Sequence, residues 1–370
     1  MKRLSILSFV FYLSTFFLVG CKDSGTTRVS ATGSIYECLV VMPSSPLTQA
    51  ELNLVRQTEE ARPTGSAYDE PVQNTYDLVR LTLEAPMPCL PQIEPYFKLT
   101  QVPAAAFDNI LKPTRNILLV DIDPTRFTQV KAKTSFDVFS HPQAVYRIQA
   151  PDQAAFVDFW LHNGEAVREW FVRQELNRQL SFYRYSTNQD GRQALHEDLN
   201  CDLWVPEDFM LIDRLTLAGG TKVVWFCNNK GPMRKDLVVY SYPYTDANAF
   251  TLAKLNKTRD EVLGQFISGS VAGSYMGTEY KVFPPQLSYP KSLLSFDFER
   301  SGLSTLYEVR GLWKLYNGEA MGGPYVSLTS LDEEHQRVVT AEVFLFAPGQ
   351  KKRTALRQAE AILYSLSFLY

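Results

Sequence analysis

The sequence predicts an α/β first half followed by an α+β second half. A mixed sheet covered by helices gives way to an antiparallel sheet. Three observations carry this expectation. Short, continuously apolar runs such as "YECLVVM" (36–42) and "NILLVDI" (116–122) indicate strands buried on both faces. Between them lie helical stretches, the pattern of a sheet with helical crossovers. Beyond residue 200, strand-like runs follow one another with glycine turns between them, as in a meander.

In chain order, the run at 36–42 is the first strand, stopped by Pro43. A helix starts near Thr48, the polar piece 58–74 reads as a surface loop, and helix resumes near Tyr76. "YFKLTQV" (96–102) alternates as a strand, 104–111 is a short helix behind Pro103, and 116–122 and 143–150 complete the first sheet. The segment 152–185 is helical, with Phe156, Trp160, Val167 and Phe171 forming an apolar stripe suited to a core. Asn163-Gly164 is expected to bend it. The polar stretch 186–200 marks a domain boundary. Strands follow at 201–206, 221–227 and 236–244, then a helix at 247–266. Further strands at 306–316, 323–331 and 337–348 precede a closing helix at 351–367, with Ala355, Leu356, Ala359, Ile362, Leu363 and Leu366 on its apolar face. The second half therefore reads β-β-β-α-β-β-β-α, similar in order to PsbP/Mog1-like folds. The expected divisions are a signal peptide at 1–20, a lipidated tether at 21–34, an α/β domain at 35–186 and an antiparallel α+β domain at 197–370.

Lys2-Arg3 followed by the apolar segment 4–19 forms the first two regions of a secretory signal. The apolar segment is shorter than the about 20 residues a membrane span needs. Leu18-Val19-Gly20-Cys21 is a lipobox, so Cys21 is the expected site of lipidation, including palmitate. The residues after it are polar and rich in Ser, Thr and Gly, as in a flexible tether. These features give an expected location at the cell envelope, anchored by lipid at the outer membrane, with the periplasmic or surface side left open.

The remaining cysteines, Cys38, Cys89, Cys201 and Cys227, are an even set for an oxidising compartment. Pairing Cys38 with Cys89 and Cys201 with Cys227 keeps each bridge inside one expected domain. Four buried free thiols are the alternative. The formal net charge is −3 and no basic stripe occurs, which argues against nucleic acid as a partner.

At this point the chain resembles an uncharacterised lipoprotein family of Bacteroidota, known only as a domain of unknown function of the DUF4837 type. The resemblance rests on stretches including "LPQIEPYFKLTQVPAAAFDNIL", "YSYPYTD", "YMGTEY", "EVRGLW", "MGGPYVSL" and "VFLFAPGQKKR". It implies an envelope lipoprotein and brings no activity, cofactor or ligand.

Two motifs invite chemistry. "DIDPT" (121–125) follows an apolar strand and resembles the first motif of haloacid-dehalogenase phosphatases, in which Asp121 would be the nucleophile and Asp123 a neighbour of Mg²⁺. The later lysine and acidic pair of that family are missing, so a turn at Pro124 is the simpler reading. "EVRGLWKLYNGEAMGGPYV" (308–326) offers Arg310, Trp313, Met321, Gly322 and Gly323 as candidate ligand-binding residues, since an arginine beside an aromatic ring can grip an anion. The alternative is an internal ion pair of Arg310 with Glu308 or Asp260. "YMGTEY" (275–280) reads as a loop packed nearby. The four histidines lack metal-ligand spacing, no Walker loop or Gly-x-Ser-x-Gly elbow occurs, and no metal or cofactor is expected. Lys351-Lys352-Arg353 opens the last helix at the unfavourable end for cations, as a solvated cluster. The expected function is a non-enzymatic binding or assembly module with an envelope protein as partner. A metal-dependent hydrolase using Asp121 and Asp123 is the alternative.

Overall fold

The structure is a computed structural model and describes residues 29–59, 71–289 and 305–369. The signal segment, Cys21 and the tether up to residue 28 lie outside the described residues. The first half contains β1 (Glu37–Val41), α1 (Gln49–Glu59), α2 (Thr75–Leu83), β2 (Lys98–Val102), β3 (Asn116–Ile122), β4 (Lys131–Phe136), β5 (Ala144–Ala150) and α3 (Gln153–Tyr185). Its sheet has the order β2-β1-β3-β5-β4 and is parallel except for β4. Val40, Leu118 and Ile148 are fully buried, as expected of strands covered by helices. Sequence reading missed β4 because it is exposed along nearly its whole length; Lys131 and Lys133 mark it as a charged edge strand. The helix expected at 104–111 is only a 3₁₀ turn at Ala104–Ala106.

Helix α3 runs unbroken through Asn163-Gly164. The glycine serves packing: a Cβ there would lie 2.9 Å from the Trp160 Nε1. That indole donates to Leu78 O at 3.2 Å and Thr82 Oγ1 at 3.1 Å, fastening α3 to α2.

The polar stretch after α3 is itself a helix, α4 (Gln189–Leu199), capped by Asn188 and ended by Asn200 at φ 44°. There follow β6 (Cys201–Asp202), β7 (Met210–Thr216), β8 (Lys222–Asn228), β9 (Arg234–Pro243), α5 (Leu252–Leu263), β10 (Tyr275–Glu279), β11 (Gln286–Ser288), β12 (Tyr307–Tyr316), β13 (Gly322–Asp332), β14 (Arg337–Phe346), α6 (Arg353–Leu363) and β15 (Ser367–Phe368). The large sheet is antiparallel in the order β10-β12-β13-β14-β9-β8-β7, with β11 also on β12. This corrects the expected β-β-β-α-β-β-β-α order. The first strand of the meander is β7, not 201–206, and "YMGTEY" supplies strand β10 rather than a loop. Only Cys201 and Asp202 pair as β6, with β15.

The large sheet is covered on both faces. Helix α6 packs on β13 and β14 and also meets α3, while α5 packs on β10 on the other side. One apolar cluster runs through both halves of the chain, joining Val40, Leu118 and Phe171 to Val343, Leu356 and Ile362. A second, on the α5 side, gathers Leu255, Val262, Trp313, Tyr325 and Phe344. Among the described residues no helix is long and apolar enough to cross a membrane.

Candidate functional site

Successive side chains on a strand point to opposite faces. On β12, Val309, Trp313 and Leu315 enter the α5-side cluster, and Arg310 points to the α6 side. The sequence grouped Arg310 with Trp313, but they lie three apart and the sheet separates them.

On the α6 side, Arg310 Nε donates to Glu308 Oε1 at 2.7 Å and its Nη1 donates to Glu360 Oε2 at 3.1 Å. Its Nη2 also donates to Glu360. Arg357 Nη1 reaches Glu360 Oε1 at 3.0 Å, and the Tyr364 hydroxyl donates to Glu308. Arg357, Glu360 and Tyr364 recur at helical spacing and so share one face of α6. All five groups are buried, Glu360 completely. Burial works against the Glu360 charge, but Arg310 and Arg357 outweigh it and hold its pKa below the usual carboxylate value. Burial, then Glu308 and Glu360, drive the Tyr364 pKa far up, so its hydroxyl stays a proton donor. Two arginines and two glutamates thus form a charge-balanced group.

This group borders a cleft of about 390 Å³ between α3, β11–β12 and α6. Across the cleft stand Glu169, Val172, Arg173 and Leu176 of α3. Tyr96 is close to two guanidinium groups, Arg168 at 4.5 Å and Arg357 at 5.3 Å from its ring centre.

A second contact fixes α6 against the first half. The helix has no side-chain cap of its own. Instead Glu94, from the loop before β2, accepts from Lys352 N at 2.5 Å and Arg353 N at 3.2 Å. A carboxylate at a helix N-terminus satisfies orphan N–H groups and complements the dipole. Lys352 Nζ donates to Gln92 Oε1 at 2.7 Å and Arg353 Nη1 to Pro95 O at 3.0 Å. The solvated cluster expected at 351–353 is therefore corrected in two of its members: Lys351 is exposed, but Lys352 is buried and both it and Arg353 have partners.

Residues 188–365 match a family model described as a domain of unknown function, DUF4837. Residues 66–184 match a second model of the same standing, DUF8532. A comparison with curated proteins found no match. The cleft lies between the two matched stretches. Arg173 and its α3 neighbours belong to the DUF8532-matching part, whereas Arg310, Arg357 and Glu360 belong to the DUF4837-matching part.

The other sequence candidates of the DUF4837-matching part lie on the far face. Trp313 and Met321 line a pocket of about 130 Å³ with Trp225, Phe266 and Phe346. The Trp313 indole donates to Leu345 O at 3.0 Å. An ion pair of Arg234 with Asp236 at 2.8 Å borders the pocket, and Trp225 Nε1 donates to the same carboxylate at 2.9 Å. Gly322 and Gly323 are packed against backbone: a Cβ on Gly323 would stand 2.0 Å from Leu345 O, and one on Gly322 2.6 Å from Trp313 O. They allow β12, β13 and β14 to approach closely.

In the DUF8532-matching part, Asp121 and Asp123 close β3. Asp121 Oδ2 meets Arg147 Nη1 at 3.2 Å. Asp123 accepts from Thr125 Oγ1 at 2.6 Å and Thr125 N at 2.8 Å, and these hydrogen bonds lower its pKa. That is turn chemistry. Among the described residues no group of three or more His, Cys, Asp and Glu side chains is disposed to hold a metal.

Cys38, Cys89, Cys201 and Cys227 are free and buried. Neither expected bridge forms. Cys201 lies in β6, which pairs with β15, and Cys227 lies in β8 of the large sheet. They are not on adjoining strands of one meander. Cys38 is on β1, while Cys89 occupies a loop at φ 58°. Burial pushes the Cys201 pKa up to about 12 and those of Cys89 and Cys227 up to about 11.

Sequence reading had missed Glu360, Arg357, Glu94 and Arg173 as parts of the site. A buried arginine needs a counter-charge, which was a signal to seek acids on the closing helix.

Proposed function

We propose that the protein is a lipid-anchored component of the cell envelope, at the outer membrane, whose folded body is a non-enzymatic binding module using the cleft between α3 and α6. The observation that carries the binding reading is the cleft itself. It is a small-molecule-sized concavity bordered by convergent charged groups, the arrangement common to ligand sites. The anchor reading is supported by the signal segment and by Cys21, where acyl chains would add about 0.8 kcal/mol per buried CH₂. Membership of a Bacteroidota lipoprotein family and a PsbP/Mog1-like arrangement of the second half belong to the same proposal, and so does an envelope protein as partner. The domain limits 35–186 and 197–370 do too.

Growth with a clickable palmitate analogue tests the anchor: the parent is labelled and pellets with membranes, and Cys21→Ser does neither. Equal labelling of the two would refute it. Crosslinking in intact cells tests the binding role. Partners should be recovered above a tag-only control and lost when the cleft is blocked by Gln286→Trp at its exposed rim. Recovery equal to the control counts against a binding module.

One observation favours a second reading. Asp121 and Asp123 lie at the C-terminal end of β3, beside β1, where the strand order of the parallel sheet reverses, and such points commonly hold ligands. A metal-dependent phosphatase at this point predicts Mg²⁺-dependent hydrolysis of p-nitrophenyl phosphate that Asp121→Asn abolishes with the fold intact. Hydrolysis unchanged in that variant removes the reading.

A further inference from the structure

We propose that the cleft takes an organic oxyanion, a carboxylate or phosphate monoester on an apolar body, and that Arg173 grips the negative group. The inference deepens the binding reading above and rests on it. Three guanidinium groups border the cleft: Arg173, Arg310 and Arg357. Arg310 is neutralised by Glu308 and Glu360, and Arg357 shares Glu360. Arg173 is different. It makes no hydrogen bond or ion pair among the described residues, and its Nε is buried without an acceptor. Glu169, one helical turn earlier, is taken by Arg168 at 3.2 Å.

The cleft is therefore charge-balanced on its α6 side and carries an unmatched cation on its α3 side. An incoming anion meets no uncompensated carboxylate near Arg310, and Arg173 offers it a planar fork of donors suited to two oxygens at once. The remaining wall is mixed, with Gln286 and Ser288 on β11 and an apolar portion beside Arg173. Val172 and Leu176 lie on the same helix as Arg173, and Leu287 and Tyr96 also line the space. A neutral polar ligand would leave Arg173 unpaired, and a bare inorganic anion would leave the apolar wall uncovered. A molecule with an oxyanion at one end and an apolar body satisfies both, and the cleft volume of about 390 Å³ suits a small one.

The test uses full-length protein in nanodiscs, with empty nanodiscs as the blank. Phenylacetate, phenyl phosphate and the neutral phenylacetamide are titrated by calorimetry and by ligand-observed NMR. At least one anion should bind tenfold or more tightly than the amide. Arg173→Gln should remove that preference, Arg173→Lys should keep part of it, and Lys133→Gln on the distant edge strand should leave it unchanged. Preference for phenylacetate points to carboxylic acids, and preference for phenyl phosphate to phosphate esters. The proposal is overturned if the amide binds as well as both anions, if no probe binds, or if Arg173→Gln binds like the parent. Partner crosslinks that persist when the anions fail to bind would leave the binding module standing and remove only its ligand class. Loss of partner capture with anion binding intact would do the reverse.

Discussion

The two faces of the large sheet carry the same chemistry to different ends. On the α5 side, Arg259 makes a bidentate pair with Glu342, at 2.9 Å from Nε and 2.7 Å from Nη2, and lies 3.9 Å from the centre of the Tyr325 ring. Its Nη1 is satisfied by Asp260 and Thr278. Arg259 is 2% exposed and Glu342 0%. Burial opposes the Arg259 charge, and Glu342 overrides it and raises the guanidinium pKa above its usual value. On the α6 side, Arg310 and Arg357 also have carboxylate partners, but they border a cleft. A sealed charge pair is a structural commitment. A pair that water can reach is one a ligand can reach too.

The largest effect should come from the sealed face. Arg259→Met leaves Glu342 buried and unpaired and should cost about 3–5 kcal/mol in urea unfolding. Adding Glu342→Leu should recover most of that loss, and a double variant no more stable than the single one would refute the pairing. Glu360→Gln should cost less, because Arg310 and Arg357 can rehydrate through the cleft. It should also change the pH dependence. With its pKa lowered in the folded state, Glu360 contributes stability that is fully present above the ordinary glutamate value of about 4.3 and is lost as pH falls through the folded value. Urea midpoints between pH 3 and 7 should therefore fall in acid for the parent and fall less for Glu360→Gln. Equal slopes would place the charge elsewhere.

Glu94→Ala removes the cap on α6 and should cost about 0.5–2 kcal/mol, the range for capping side chains. Hydrogen exchange should quicken first at Lys352 and Arg353. The smallest effect concerns the thiols. With every pKa raised by burial, Cys38, Cys89, Cys201 and Cys227 should resist Ellman's reagent at pH 7.5 until the protein unfolds. Dithiothreitol should leave the urea midpoint unchanged. A drop in midpoint would reveal a bridge.

What the sequence disclosed follows from how each segment meets water. Strands β1, β3 and β5 and the central strands β9, β13 and β14 are buried, so their apolar and β-branched runs stand out. Helix α6 shows its apolar face plainly. Strands β4 and β7 lie at sheet edges with their side chains in solvent; β4 is polar and reads like a loop, whereas the run Met210-Leu211-Ile212 in β7 was an apolar signal that sequence reading passed over. The site was legible in part. Glu308 stands two residues from Arg310, whereas Glu360 comes fifty positions later and is brought near only by the packing of α6 on the sheet. The separation of Arg310 from Trp313 was readable from the strand period alone.

Helix α6 has a consequence for biosynthesis. It fills the space between α3 and the large sheet, and its first turn is held by a carboxylate more than 250 residues upstream. A ribosome delivers that carboxylate long before the amides it will hold. Until the stretch from Arg353 to Leu363 emerges, Val343 and Leu345 of β14 have no lid, and the nascent chain keeps an open seam along its middle. Final closure of the molecule thus waits for a helix made long after α3, the helix it meets.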